Sequence, residues 1–162
     1  MPPRGAIFDL DGTLVDTNRF HVEAWRRVFI AHGHDVPTDR IAAHIGMGGD
    51  HLIPAVLGQA VYDRDGKAMR KGYSEAFREI AHRERFRVFP GALELLDRLR
   101  AAGVKLALGT SSPQDLLDEI QRSAGVDFSA HVDVTTTADD AGASKPAPDV
   151  VHAALKKLGV LT

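Results

Sequence analysis

The sequence predicts an α/β protein, a doubly wound parallel sheet whose first strand is separated from the others by a helical insertion. Three observations carry that expectation. Ala6 to Leu10 (AIFDL) is a short apolar run that ends at the turn signal Asp11-Gly12, as a buried strand opening into a loop does. From Thr17 to about Arg87 the apolar positions recur at helical spacing. After Pro90-Gly91, helical and β-rich stretches alternate, the pattern of a parallel sheet with crossover helices.

Each element has a local reason. Val22, Trp25, Val28 and Phe29 fall on one helical face with Arg26 and Arg27 opposite, and Gly33 closes the run. Thr38-Asp39 caps a second, short helix to about Ile45. Gly46, Gly48 and Gly49 then surround Met47 in a flexible turn, followed by a short segment from His51 to Leu57. Met69, Tyr73, Phe77 and Ile80 space one long helix over about 65–85, in a stretch rich in Lys, Arg, Glu and Ala. Leu93, Leu96 and Leu99 mark a helix ended by Gly103, and Val104 to Leu108 a buried strand. Leu116, Leu117 and Ile120 continue a helix that Ser112 caps, with Pro113 at its first position. Val132 to Thr137 is β-branched and strand-like, and Ala147 to Leu158 is a final helix ended by Gly159. The expected division is an α/β core of residues 1–16 plus 89–162, with residues 17–88 as the insertion.

Composition narrows the function. Lys and Arg total 20 against 22 Asp and Glu, a formal charge of −2, so no basic field exists to drive nucleic-acid binding. No stretch approaches the roughly 18 apolar residues of a spanning helix, and MPPRGAIFDL lacks the features of a secretory leader. A protein with no membrane partner, located in the cytoplasm, is expected. Cysteine is absent, which excludes disulfides, a thiolate nucleophile and thiolate-bound zinc. Chemistry falls to carboxylates, hydroxyls, His and Lys.

In open parallel sheets the ligand sits beyond the carboxyl ends of the strands. Three predicted strand ends carry polar groups there. The first bears Asp9, Asp11 and Thr13 in FDLDGTLVDT, the second Thr110, Ser111 and Ser112 in LALGTSS, and the third leads to Lys145 in SKPAPD. Asp9 and Asp11 both reach one site if the chain turns at Gly12, and two close carboxylates favour a hard divalent ion such as Mg2+ between them. Singly, each feature has a plain structural reading: Asp-Gly as a turn, the serines as a helix cap, the lysine as a solvated side chain. Together they supply a nucleophile, an acid, hydroxyl and N–H donors, a cation and a metal, which is a phosphoryl-transfer site.

FDLDGTLVDT, LALGTSS and SKPAPD resemble the first three signature motifs of the haloacid dehalogenase superfamily. The resemblance covers the whole chain and is to the branch with a helical cap after the first motif, which includes phosphoglycolate phosphatase-like and β-phosphoglucomutase-like enzymes. It implies a Rossmann-like core and a Mg2+-dependent hydrolysis of a small phosphorylated metabolite. Asp9 would attack phosphorus to form an aspartyl phosphate, with Mg2+ held by its carboxylate and by the Asp11 backbone carbonyl. The Asp11 side chain would protonate the leaving oxygen and then accept a proton from water. Thr110 and the Ser111 N–H would bind phosphoryl oxygens, and Lys145 would neutralise charge shared by Asp9 and the phosphoryl group. In the cap, His21, Trp25 and the turn GMGGD, which begins at Gly46, occupy positions that face the core. His21 matches a histidine of the β-phosphoglucomutase pattern, but Gly49 stands where that pattern carries an arginine. That loss favours a hydrolase over a sugar phosphomutase, which remains the alternative.

The resemblance also implies a fourth motif, an acidic strand end completing the Mg2+ shell, and no segment of the chain matches it. The chain is therefore expected to be a truncated form, incomplete at the C-terminus of the sheet. Its first strand would form an apolar edge, inviting a homodimer or leaving the protein marginally stable. A noncatalytic remnant that binds phosphate or a partner is then a third reading. A signalling receiver domain is disfavoured, because its phosphoacceptor would have to end a third strand where this chain is helical.

Overall fold

A computed structural model of the chain describes residues 3–160. Strand β1 is Gly5–Phe8, followed by the two-residue β2, Val15–Asp16. Four helices come next: α1 at Asn18–Ala31, α2 at Thr38–Ala42, α3 at Gly49–Leu57 and α4 at Gln59–Arg83. The two-residue β3, Arg87–Val88, leads into α5 at Ala92–Ala101, β4 at Lys105–Gly109 and α6 at Gln114–Ala124. Strand β5, Val134–Thr136, and α7, Asp149–Leu158, complete the order. The α/β expectation holds.

The sheet runs β1-β4-β5 with every pairing parallel. Phe8 is in register with Leu108, and Gly109 with Thr136, so all three carboxyl ends open at one rim. Strand β4 lies in the middle and is buried from Leu106 onward. Its alternation assigns the layers: Leu106 and Leu108 face the larger core with Leu96, Leu116, Leu117 and Ile120, while Ala107 faces Ala154 and Leu158 of α7. Helices thus cover both faces. Strand β1 pairs with β4 alone among the described residues, and its four positions are half-buried.

The helical segment has a core of its own, built on Trp25, Phe29, Ile41, Leu52, Ile53 and Met69. It joins the sheet layer where Phe20 of α1 and Phe77 of α4 pack into the larger core with Phe86. The chain crosses between the two regions at β2 and β3, which pair antiparallel, Val15 with Val88 and Asp16 with Arg87. Two residues per strand leave no periodicity, so this ribbon had no sequence signal.

Several boundaries differ from the sequence reading. Helix α2 ends at Ala42 rather than near Ile45, and α3 begins at Gly49, inside the expected turn. Helix α4 begins at Gln59, six residues before the expected start; its first apolar residues, Ala60, Val61 and Tyr62, are adjacent and show no helical period, although Val61 and Tyr62 pack on the helical core. Ser112 does not cap α6. Pro113 is the N-cap residue, in extended conformation, and the Gln114 N–H is received by Asp139 Oδ2 at 2.8 Å from a distant loop.

Candidate active site

The rim at the strand ends opens on a cavity of about 490 Å3 whose other wall is α4 and the loop of residues 45–50. Asp9 follows β1 directly. Its Oδ1 accepts the Leu10 N–H at 2.8 Å and the Lys145 ammonium at 2.8 Å, while Lys145 also donates to the Gly109 carbonyl at 2.8 Å. Lys145 thereby ties the ends of β1 and β4 together. The Asp9 side chain is 36% exposed, and its Oδ2 has no hydrogen-bond partner among the described residues.

Asp11 is placed differently. The turn after Leu10 is closed by Leu14 N–H to Leu10 carbonyl and Gly12 N–H to Val15 carbonyl. Gly12 sits at φ +71°, and a Cβ there would fall 2.4 Å from Asn18 Nδ2, so the turn requires glycine. It swings the Asp11 carboxylate inward to 11% exposure. Oδ1 accepts from Thr17 Oγ1 at 2.6 Å and from His21 Nε2 at 2.7 Å; Oδ2 accepts from Ser112 Oγ at 3.3 Å and Thr110 Oγ1 at 3.4 Å. An ionised carboxylate only accepts, so His21 Nε2 carries a hydrogen. Burial raises the Asp11 pKa, but the His21 charge and the hydrogen bonds of His21, Thr17 and Ser112 outweigh it and hold the carboxyl below its usual range.

His21 is fixed on both sides. Its Nδ1 is 2.6 Å from the Tyr73 hydroxyl, and its ring lies flat on Phe77 at 4.3 Å between centroids. Tyr73 in turn stacks on Trp25 at 4.2 Å, so Trp25 is both part of the helical core and a wall of the cavity. Burial and the Asp11 charge push the Tyr73 hydroxyl pKa well up, which keeps it neutral.

The remaining expected residues are also near. Thr110 is fully buried, and its hydroxyl accepts the Ser112 N–H at 3.0 Å while turned toward Asp11. The Ser111 N–H has no partner among the described residues, and the Ser111 hydroxyl donates to the Gly46 carbonyl at 3.2 Å. A second link joins the loop to the core: Ser144 Oγ donates to Asp50 Oδ1, and the Ser144 N–H donates to Asp50 Oδ2 at 3.3 Å. Burial raises the Asp50 pKa, and the two Ser144 hydrogen bonds, together with His51 and its own backbone N–H, outweigh it, giving a net lowering. Gly48 packs so closely here that a Cβ would come 2.2 Å from Ser144 Oγ.

Sequence reasoning missed Thr17, Ser112 and Tyr73 as partners of the Asp11–His21 pair, and the Asp50–Ser144 link. It also missed Lys67, Arg70 and Lys71, which line the cavity from α4 and whose spacing along the helix was legible. Among the described residues, no three His, Cys, Asp or Glu side chains converge as a metal-binding cluster. Asp9 Oδ2 and the Asp11 carbonyl are hard oxygens without hydrogen-bond partners there, a donor set that suits Mg2+ completed by water and phosphate oxygens.

A family model described as haloacid dehalogenase-like hydrolase matches residues 3–162. The chain is 31% identical over 162 residues to a phosphorylated carbohydrates phosphatase of Thermotoga maritima, covering 96% of this chain and 70% of that protein. It is 29% identical over 154 residues to a phosphoglycolate phosphatase of Rhodobacter capsulatus, covering 94% and 69%. The crystal structure of a hydrolase from Pseudomonas syringae superposes with a TM-score of 0.85 at 30% identity, covering 98% of this chain and 71% of that one. The motifs at the rim and these likenesses have one source: the chain belongs to the haloacid dehalogenase-like hydrolase family.

Proposed function

We propose that the chain hydrolyses a small phosphomonoester through a phosphoryl group carried on Asp9, with Mg2+ as cofactor. The observation that carries this reading is the contrast between the two carboxylates. Asp9 is positioned by Lys145 and keeps one oxygen free at the cavity, while Asp11 is enclosed and joined to an imidazole.

Asp9 attacks phosphorus, an O–P bond forms on its carboxylate, and the P–O bond to the leaving alcohol breaks. The leaving oxygen takes a proton from Asp11. Asp11 enters this step protonated and leaves it as a carboxylate, which the His21 Nε2 hydrogen bond at 2.7 Å holds in place to serve as the base of the next step. In the second step water attacks phosphorus, Asp11 accepts its proton, and inorganic phosphate leaves with Asp9 restored. Lys145 offsets charge on Asp9 and the transferred group, and Thr110 and the Ser111 N–H receive phosphoryl oxygens. Mg2+ would be held by Asp9 and the Asp11 carbonyl and would supply charge neutralisation at the phosphoryl oxygens.

The same proposal assigns residues 17–88 as a cap over a core of residues 1–16 plus 89–162, with His21 and Gly46 on its inner side. The phosphorylated metabolite is held between the two. A cytoplasmic location belongs to this proposal, and so does a homodimer through β1, whose half-buried positions pair on one side only among the described residues. Among the described residues no helix is long and apolar enough to cross a membrane. Light scattering on the purified chain decides the dimer, and a monomer at all concentrations removes it.

The test is turnover of p-nitrophenyl phosphate and a panel of sugar phosphates with Mg2+, for the unmodified chain and for Asp9→Asn. Turnover that the substitution reduces by about a thousandfold or more supports the reading. Equal background from both chains contradicts it and favours a noncatalytic phosphate-binding protein.

A further inference from the structure

One polar group beside the reacting carboxylates has no part in the steps above. The Tyr73 hydroxyl on α4 meets His21 Nδ1 at 2.6 Å and has no other hydrogen-bond partner among the described residues. Packing accounts for the Tyr73 ring, which stacks on Trp25 with 12° between planes and tilts against Phe77. It does not account for the hydroxyl, since a phenylalanine ring would fill the same stack.

His21 has a use for it. Phe77 fixes the plane of the imidazole, with 6° between the two rings. A half-turn of the imidazole about Cβ–Cγ keeps that plane and exchanges nitrogens for carbons, so stacking does not choose between the two orientations. Polar partners do choose. Nε2 meets Asp11 Oδ1 at 2.7 Å and Nδ1 meets Tyr73, and the turned ring would lose both bonds. His21 is 4% exposed, which leaves water little room to replace either partner.

Asp11 is oriented through the same contact. Its Oδ1 takes the two short hydrogen bonds, 2.6 Å from Thr17 and 2.7 Å from His21, while Oδ2 has contacts of 3.3 Å from Ser112 and 3.4 Å from Thr110. Oδ2 is therefore the more loosely held oxygen of a carboxyl group that borders the cavity.

We propose that Tyr73 is a positioning residue of the hydrolysis: its hydroxyl sets the His21 ring so that Nε2–H holds Asp11 Oδ1, which leaves Oδ2 as the oxygen that gives its proton to the leaving alcohol. This rests on the hydrolase reading, in which Asp11 protonates that alcohol. The helical segment thereby acts on the acid of the sheet rim through one imidazole, without touching the phosphoryl group.

The test compares two phosphomonoesters that differ in their need for an acid. p-Nitrophenolate leaves without a proton, whereas an alkoxide must gain one as its P–O bond breaks. The ratio kcat/KM covers the steps up to departure of the alcohol. Tyr73→Phe keeps the ring on Trp25 and removes only the hydroxyl. It should lower kcat/KM by about tenfold for propyl phosphate and by no more than about twofold for p-nitrophenyl phosphate. In a chain that already carries His21→Ala, adding Tyr73→Phe should change neither ester by more than about twofold, because the hydroxyl acts through the imidazole. Trp25→Phe disturbs the same stack and keeps the hydroxyl, so any loss it brings should fall on both esters alike.

Equal losses on the two esters in Tyr73→Phe, no loss on propyl phosphate, a full further loss in the His21→Ala chain, or an ester-dependent loss in Trp25→Phe overturns the proposal. Circular dichroism follows the fold, and a Tyr73→Phe chain that does not fold also overturns it, by making the hydroxyl a structural requirement. Turnover of neither ester by the unmodified chain contradicts the hydrolase reading itself, and the proposal falls with it.

Discussion

The two walls of the cavity are built on opposite plans. On the sheet side, Asp11 accepts four side-chain hydrogen bonds and is 11% exposed, and the Lys145 ammonium is shared between Asp9 and Gly109. On the helical side, Lys67, Arg70 and Lys71 are exposed, and two of them have no ion pair among the described residues. The first plan fixes reacting atoms to within hydrogen-bond tolerances, which a transition state needs. The second presents charge on long, exposed stems. On the proposed reading the reacting groups belong to strand ends, while α4 lines the cavity opposite them.

The largest effect that separates the walls comes from charge removal on each. Asp9→Asn should lower kcat by about a thousandfold or more with the fold intact, while Arg70→Met should leave kcat on p-nitrophenyl phosphate within about twofold. A comparable kcat loss from both would erase the distinction. The next effect is at the joint between the walls. His21→Ala removes the partner of Asp11 and should cost about a hundredfold in kcat with KM little changed, because proton transfer and not binding is lost. A rise in KM at constant kcat would instead make His21 a substrate-binding residue.

A smaller effect tests the clasp that holds the walls together. Ser144→Ala removes one hydrogen bond to Asp50 and should raise KM by about tenfold, the scale of a hydrogen bond to a charged group. The smallest is a pH effect on stability. The folded-state pKa values of Asp50 and Asp11 lie below their unfolded ones, so their contribution is complete above about pH 4 and is lost as pH falls through the folded values. In urea unfolding, the stability gap between the unmodified chain and Ser144→Ala should therefore narrow below about pH 4. A gap independent of pH would show that the clasp does not depend on an ionised Asp50.

The division of labour also explains what was legible in the sequence. Asp9, Asp11 and Lys145 were visible because strand ends are marked by turn chemistry: Gly12 at positive φ and a Lys-Pro after a loop are local signals. Ser112 was not identified as an Asp11 partner, because its role depends on a close approach between a loop after β1 and one after β4, 101 residues apart, and Thr17, only six residues from Asp11, meets it through the folding back of the Gly12 turn. Reading Ser112 as a cap failed for the same reason, since the α6 N–H it was to satisfy is taken by Asp139 from across the fold. Arg70 is the sharpest case. Position 49 read alone shows a missing cation, and only packing shows that the glycine there admits one from α4.

The central claim is that the phosphoryl group passes through Asp9, and trapping it tests this most directly. The chain is mixed with substrate and Mg2+, quenched rapidly in acid, and digested, and the peptide containing Asp9 is weighed. A phosphoryl group on Asp9 in the unmodified chain, absent from Asp9→Asn, is the predicted result. Turnover with phosphate found on another residue, or full turnover retained in Asp9→Asn, would contradict it.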